Sequence, residues 1–159
     1  DERHVPTASP DSNFGQMRGL VGALRVPDTR IMRVHTDLTL PAAADRYHDE
    51  LAAFLAHGGR ITLGLLGLGA DGHVASLFSQ SDVDRGTGRW ALAVPRPTPP
   101  HRVSVTSDLL ARIERLVIFV AGAQKRAIVQ AVTDHPEGIV AAQATKNAPQ
   151  VELWFADTS

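Results

Sequence analysis

Apolar positions recur along the chain with a helical period in some stretches and as short continuous runs in others. Residues 1–12 read as a strand end running into a loop, with breakers at Val5-Pro6 and Ser9-Pro10-Asp11. Phe14, Met17, Val21 and Leu24 follow at spacings of three, four and three, one face of a helix. Asp11 or Ser12 is placed to cap it, and Val26-Pro27-Asp28 ends it. A short extended piece is expected at Ile31–Val34. Thr39-Leu40-Pro41 starts a second helix, with proline in the first turn, where a missing N–H is harmless. Its stripe is Ala44, Tyr47, Leu51, Phe54 and Leu55, and Gly58-Gly59 closes it.

Ile61–Leu66 is a continuous apolar run between glycines, the pattern of a strand buried on both faces. A glycine-rich turn follows, then a short helical segment His73–Phe78. Residues 79–90 read as polar loop. Ala91–Val94 is a short strand, and Arg102–Thr106 alternates as a strand does. Between them Pro95–Pro100 holds four prolines in six residues and reads as a connector. Ser107-Asp108 is placed to cap a short helix to about Ile113. Leu116–Ala121 is a second buried strand, ending at Gly122, and Gln124–Val132 is helical. Ile139–Ala142 and Val151–Phe155 are the last strand candidates. Apolar strands alternating with amphipathic helices predict an α/β domain with a mostly parallel sheet flanked by helices. Ligands bind at the carboxyl ends of such strands, which directs attention to the loops after Leu66 and Ala121.

Composition narrows the function classes. The 159 residues are 43% hydrophobic and 21% charged, an ordinary globular balance in a length of about one domain. There is no cysteine, so disulfides and thiolate sites are out. A formal charge of −1 argues against a nucleic-acid partner. No apolar run reaches the roughly 18 residues of a membrane span. A cytoplasmic protein with no membrane partner is the expectation. Of the 16 basic residues only two are lysines, Lys125 and Lys146, so each is worth inspecting.

Gly67-Leu68-Gly69-Ala70-Asp71-Gly72-His73 is the most distinctive stretch. It satisfies G-x-G-x-x-G after a strand, the form of a dinucleotide-binding turn. That reading needs a substantial helix next and an acid at a strand end about 20 residues on. Neither follows Gly72, because Asp82 and Asp84 fall in the polar segment. The same glycines also allow a sharp turn and close approach of a ligand. Asp71 and His73 would then stand at the mouth of the sheet, where a histidine serves as a general base. The plain structural alternative makes both of them caps of the short helix.

The stretch from Leu65 to Phe78, with its core Asp71-Gly72-His73-Val74-Ala75-Ser76-Leu77-Phe78, closely resembles the D-G-H-x-[AC]-S-[LI]-F motif of 6-phosphogluconolactonases. Asp1-Glu2-Arg3-His4-Val5-Pro6 with Asp11-Ser12-Asn13-Phe14 resembles the family's D-E-R-x-V-P and S-N-[FY] stretch. Arg102–Thr106 is similar to its R-[VI]-T-[LV]-T strand. Val117–Val120 with Gly122-Ala123-Gln124-Lys125 resembles its apolar strand leading into G-x-x-K. Leu153–Asp157 looks like its closing W-F-x-D. These matches come in the family's order and cover essentially the whole chain.

The resemblance implies a Rossmann-like α/β fold of the glucosamine-6-phosphate deaminase type. It implies hydrolysis of 6-phospho-D-glucono-1,5-lactone to 6-phosphogluconate in the oxidative pentose phosphate pathway, without metal or cofactor. The seven histidines agree, since they show no H-x-H or H-x-x-x-H pairing. By motif match His73 is the general base, and Arg3 the electrostatic stabiliser or substrate clamp. Asp71 has three readings: orienting His73, accepting a sugar hydroxyl, or holding the glycine turn. Lys125, at a helix start after Gly122, is the best phosphate candidate. Arg102 either contacts phosphate or fixes a strand edge. Gly69 and Gly72 bring backbone close to the substrate.

The sequence departs from the family pattern in places. The upstream strand and its G-G-[ST]-x-P phosphate loop are not in residues 1–159. The expectation is a single domain corresponding to the C-terminal two-thirds of the family's, completed by a missing segment or a partner chain. Ser79 stands where proline is usual, Ser104 replaces threonine, and Leu110 or Ala111 falls where asparagine is usual. Two other functions stay open at this point: a non-catalytic sugar-phosphate-binding fragment, and an amino-sugar-phosphate isomerase or deaminase relative.

Overall fold

The computed structural model describes residues 1–157. Among these, six strands make two sheets of three. In one sheet β1 (Glu2–Arg3), β4 (Arg102–Val105) and β3 (Ala91–Val94) run antiparallel in the order β1-β4-β3. In the other, β2 (Ile61–Gly67), β5 (Ile113–Ala121) and β6 (Val151–Ala156) run parallel in the order β2-β5-β6. The parallel expectation therefore describes the second sheet. The first is antiparallel for a simple reason: the proline-rich connector between β3 and β4 is shorter than the dozen or so residues a parallel crossover needs.

The parallel sheet has one covered face. Leu116, Ile118 and Val120 of β5 are buried there, flanked by Gly64 and Leu66 of β2 and by Leu153 and Phe155 of β6. They share a core with Ile128, Val129 and Val132 of helix α5 (Arg126–Asp134) and Ala141 and Ala144 of α6 (Val140–Thr145). The opposite face is largely exposed, although Val117 at its centre is shielded by its neighbours. Leu65 is 70% exposed, Phe119 53% and Trp154 49%. Ile61–Leu66 is a strand as expected, but it is buried on one face only. A continuous apolar run shows that both faces want cover. It does not show that residues 1–157 supply it.

Helix α1 (Asn13–Ala23) begins at Ser12, whose hydroxyl accepts from the Gly15 N–H at 2.9 Å. Of its expected apolar face, Phe14 and Val21 are half-buried while Met17 and Leu24 are exposed, and the helix buries no residue fully. A 3₁₀ turn at Asp28–Arg30 follows, and Ile31–Val34 forms no strand. Helix α2 (Leu40–Ala56) carries Pro41 in its first turn and closes at Gly58, whose φ is +82°. Ala43 and Ala44 pack it on Val103 of β4.

Three local expectations are corrected. Residues 80–85 are helix α3 (Gln80–Arg85) rather than loop, because Ser79 and Asp82 form a reciprocal capping box. Thr106, one residue early, caps α4 (Ser107–Leu110) by accepting from Leu109 N–H. Ile139–Ala142 enters α6 instead of a strand, after a turn at Pro136–Gly138. No helix among the described residues is long and apolar enough to cross a membrane.

Candidate active site

The carboxyl end of β2 delivers the chain into the glycine turn. Leu68 is buried and anchors its start, and Val74 and Leu77 anchor its end. Gly69 N–H donates to His73 O at 2.8 Å, and Gly72 N–H to Gly69 O at 3.0 Å. Gly72 has φ +84° and its Cα faces Ile139, so a side chain there meets both strain and a neighbour. Its carbonyl accepts from Ala141 N–H at 2.8 Å, which docks the turn on the first turn of α6.

His73–Phe78 is a tight loop closed by a bridge between Val74 and Leu77, not the expected helical segment. Gly72 and Ala75 both hold positive φ, and a helix cannot run through them. A non-glycine residue at φ +51° is uncommon, and Ala75 lines the same cleft as His73 and Gly69.

Asp71 and His73 are brought together. His73 Nδ1 lies 2.5 Å from Asp71 Oδ1. Burial pushes the Asp71 carboxyl upward, but the hydrogen bond and charge of His73 outweigh it and hold the carboxyl below its ordinary range. With Nδ1 donating to the carboxylate, a neutral ring keeps its lone pair at Nε2. Of the three readings of Asp71, orientation of His73 is thus built into the contacts. The turn-holding reading is also served, weakly, by a 3.4 Å contact from His73 N–H.

Lys125 ends the 3₁₀ turn Ala123–Lys125 beyond β5 and precedes α5. Gly122 makes that exit with φ +98°. The Lys125 Nζ donates to Leu68 O at 2.8 Å, so the loops after β2 and β5 meet, as strand order requires. Lys125 keeps two further N–H donors for a ligand.

The remaining predicted residues form a second group on the antiparallel sheet. Arg3 and Arg102 are direct register partners across β1 and β4. Arg3 Nη1 donates to Asp11 O and to Asn13 Oδ1 at 2.9 and 3.1 Å. Arg102 Nη1 donates to Pro100 O at 2.8 Å, just before β4, the middle strand of its sheet. The buried Glu2 carboxylate supports Arg3 by accepting from Ser12 Oγ and from the Asn13 and Phe14 N–H groups.

Residues outside the predicted set join the groups. Ser76 Oγ donates to Asp1 Oδ2 at 2.7 Å, tying the loop after His73 to the residue beside β1. Ser76 N–H donates to Ser104 Oγ, which gives the serine of β4 a task of its own. Phe78 lies against the His73 ring with centroids 4.3 Å apart, and the Arg96 guanidinium sits 3.8 Å above Phe78. Phe78 was legible as part of the motif. Arg96 was hidden in the proline-rich connector.

No group of three or more metal-ligating side chains occurs among the described residues. An imidazole oriented by a carboxylate thus lies in a cleft at the strand ends of an α/β fold, with Lys125 on the neighbouring loop. The family model described as glucosamine-6-phosphate isomerases/6-phosphogluconolactonase matches residues 1–154, and the chain belongs to that family.

Individual relatives agree. The human GDH/6PGL endoplasmic bifunctional protein is 37% identical over 141 residues, 84% of this chain and 18% of its own length. The 6-phosphogluconolactonase of Haemophilus influenzae is 27% identical over 160 residues, 99% of this chain and 68% of its own. A crystal structure of 6-phosphogluconolactonase from Thermotoga maritima is similar in fold, with a TM-score of 0.79 at 24% identity over 99% of this chain and 70% of that one. The chain thus spans 18% to 70% of these relatives' lengths.

Proposed function

We propose that this chain hydrolyses 6-phospho-D-glucono-1,5-lactone to 6-phosphogluconate, with His73 as general base. One observation carries the reading: an imidazole oriented by Asp71 at 2.5 Å in an open cleft at the carboxyl end of β2. The names of the human and Haemophilus relatives supply the substrate class.

The chemistry is ester hydrolysis within a ring. His73 Nε2 takes a proton from water as the oxygen attacks lactone C1. The electron pair of the carbonyl moves onto its oxygen, and cationic or N–H donors stabilise it. Collapse of the tetrahedral intermediate breaks the bond between C1 and the ring oxygen. That oxygen leaves as the C5 hydroxyl, taking the proton from His73. The carboxylic acid product then releases its own proton to solvent. No metal or cofactor enters these steps.

In this reading Asp71 holds the imidazole through Nδ1 and favours the imidazolium formed in the first step. Arg3 supplies positive charge from β1. Lys125 and Arg102 are the substrate-binding cations, and Gly69 and Gly72 keep the turn close enough to present the base. A lactonase assay corrected for spontaneous hydrolysis tests it. His73→Ala is expected to lose about 100- to 10,000-fold in kcat, the usual worth of a positioned base. Equal rates for the variant and the parent would remove His73 from the mechanism.

A further inference from the structure

One hydrogen bond does not aim an imidazole. The torsion that turns a histidine ring is broad and has no sharp setting of its own. The contact from Nδ1 to Asp71 Oδ1 fixes one corner of the His73 ring, and the ring can still swing about it. Asp71 is itself exposed, so its carboxylate is a soft anchor. A second constraint must press on the ring, and Phe78 supplies it, with centroids 4.3 Å apart and planes at 42°. Phe78 in turn needs a hold of its own.

The Phe78 backbone is well fixed. Its N–H donates to Asp82 Oδ2 at 3.0 Å, and the bridge between Val74 and Leu77 closes the loop just before it. Its ring is half-buried and turns on a torsion as broad as that of histidine. The Arg96 guanidinium covers that ring, 3.8 Å from its centre. A planar guanidinium can lie over a ring, where an ammonium offers only a point charge. Arg96 reaches Phe78 from the connector after β3. Its backbone N–H donates to His101 Nδ1 at 3.1 Å, which pins the start of that connector. Arg96 enters none of the ion pairs among the described residues, so no carboxylate draws it off the ring. The motif that carries His73 thus ends in a ring held by a residue outside the motif.

We propose that Arg96 is a positioning residue: acting through Phe78, it holds the His73 imidazole at a fixed angle in the cleft. Asp71 sets which nitrogen carries the proton, and the stack of Arg96 on Phe78 sets where the other nitrogen points. Arg96 touches no substrate atom in this role. A base must be aimed within a fraction of an ångström to keep its full rate, so a support two contacts away still counts. The effect on catalysis rests on the proposed lactonase reading, while the stack itself is readable without any substrate.

The test separates aim from binding. Hydrolysis of 6-phosphogluconolactone is measured for the parent chain, Arg96→Ala, Arg96→Lys, Phe78→Leu and the double variant of Phe78→Leu with Arg96→Ala. Arg96→Ala should lose about 10-fold in kcat with KM within about twofold, because the base is misaimed and the substrate still binds. Arg96→Lys should recover part of that loss. On the Phe78→Leu background Arg96→Ala should change kcat by less than about twofold, since the ring through which it acts is gone. Losses that simply multiply would overturn the proposal, and so would a loss carried by KM, which would make Arg96 a substrate-binding group. The second readout is the NMR signal of the His73 ring protons, assigned by their disappearance in His73→Ala. The ring current of Phe78 should displace them in the parent. They should move back toward ordinary histidine positions in Arg96→Ala, and less so in Arg96→Lys. Resonances that do not move, or that move with no change in kcat, would overturn the proposal. If the parent does not hydrolyse the lactone, the lactonase reading fails and the resonances alone decide whether Arg96 positions the ring. If Phe78→Leu does not fold, the kcat and KM of the single Arg96 variants decide together with their resonances.

Discussion

The two sides of the candidate site are built on opposite plans. The glycine-turn side is internally satisfied. Asp71 is paired with His73, Lys125 donates to Leu68 O, and Gly72 O accepts from α6. On the arginine side the direct contacts are neutral: Arg3 and Arg102 donate to carbonyls and an amide, Arg96 lies over the Phe78 ring, and the Glu2 and Asp11 carboxylates act on Arg102 only through space. The difference matches the division of labour in the ester hydrolysis proposed above. A base must already be aimed when the substrate arrives, so its partners belong to the protein. A binding cation must exchange water for ligand, so its charge is left open.

The largest expected effect attacks the aimed side at its tightest point. A Cβ on Gly69 would overlap both His73 Nδ1 and Asp71 Oδ1. Gly69→Ala must therefore separate the pair or swing the ring, although the position lies in no helix or strand. Lactonase kcat should fall about 100-fold, the scale of a misplaced catalytic group. Binding of 6-phosphogluconate should stay within about threefold if the arginine side is independent. A matching loss of product binding would show that the two sides are one unit.

A smaller effect is expected where the arginine side is anchored. Glu2 is 3% exposed, and its carboxylate accepts from Ser12 Oγ and from the N–H groups of Arg3, Asn13 and Phe14. It thereby locks the first turn of α1, from which Asn13 reaches Arg3. Glu2→Gln turns an amide donor toward these donors. A loss of about 1–2 kcal/mol in unfolding free energy is expected. KM for the phosphorylated lactone should rise while the pH profile of kcat stays unchanged. A shifted profile would place Glu2 on the His73 side and blur the division.

These contrasts also show what a sequence makes visible. The glycine-turn side was legible because its chemistry is contiguous: glycines, Asp71 and His73 lie within five residues. Lys125 was singled out by the G-x-x-K match after a strand end and by the scarcity of lysine. Arg96 was not, because its proline-rich neighbourhood reports a constrained connector and says nothing of where the connector lands. The His73–Phe78 loop looked helical because apolar spacing cannot show a positive φ at Ala75. Ile139–Ala142 looked like a strand because four apolar residues suit either period. The exposed face of β2 and β5 had no signature at all, since Leu65 and Phe119 read the same whether covered or not.

The smallest effect falls on the joint between the two sides. Asp82 accepts from the Phe78 and Ser79 N–H groups and from Ser79 Oγ, and pairs with Arg85 at 2.7 Å. It so holds the backbone of the ring that touches both His73 and Arg96. Burial pushes the Asp82 carboxyl upward, but the hydrogen bonds from Arg85, Ser79 and Phe78 prevail and place it below its ordinary value. The sign follows from that depression. The carboxylate stabilises the fold fully above the unfolded value of about 3.9, and the contribution fades as pH falls through the lower folded value. Asp82→Asn should cost about 1 kcal/mol near pH 7, as loss of a helix cap does. In thermal melts the gap between variant and parent should stay level from pH 7 to 5 and close below about pH 4. If Asp82→Asn also weakens both catalysis and phosphate preference, Phe78 transmits between the sides. If it lowers stability alone, the ring is held well enough by its two neighbours, and each side keeps its own geometry.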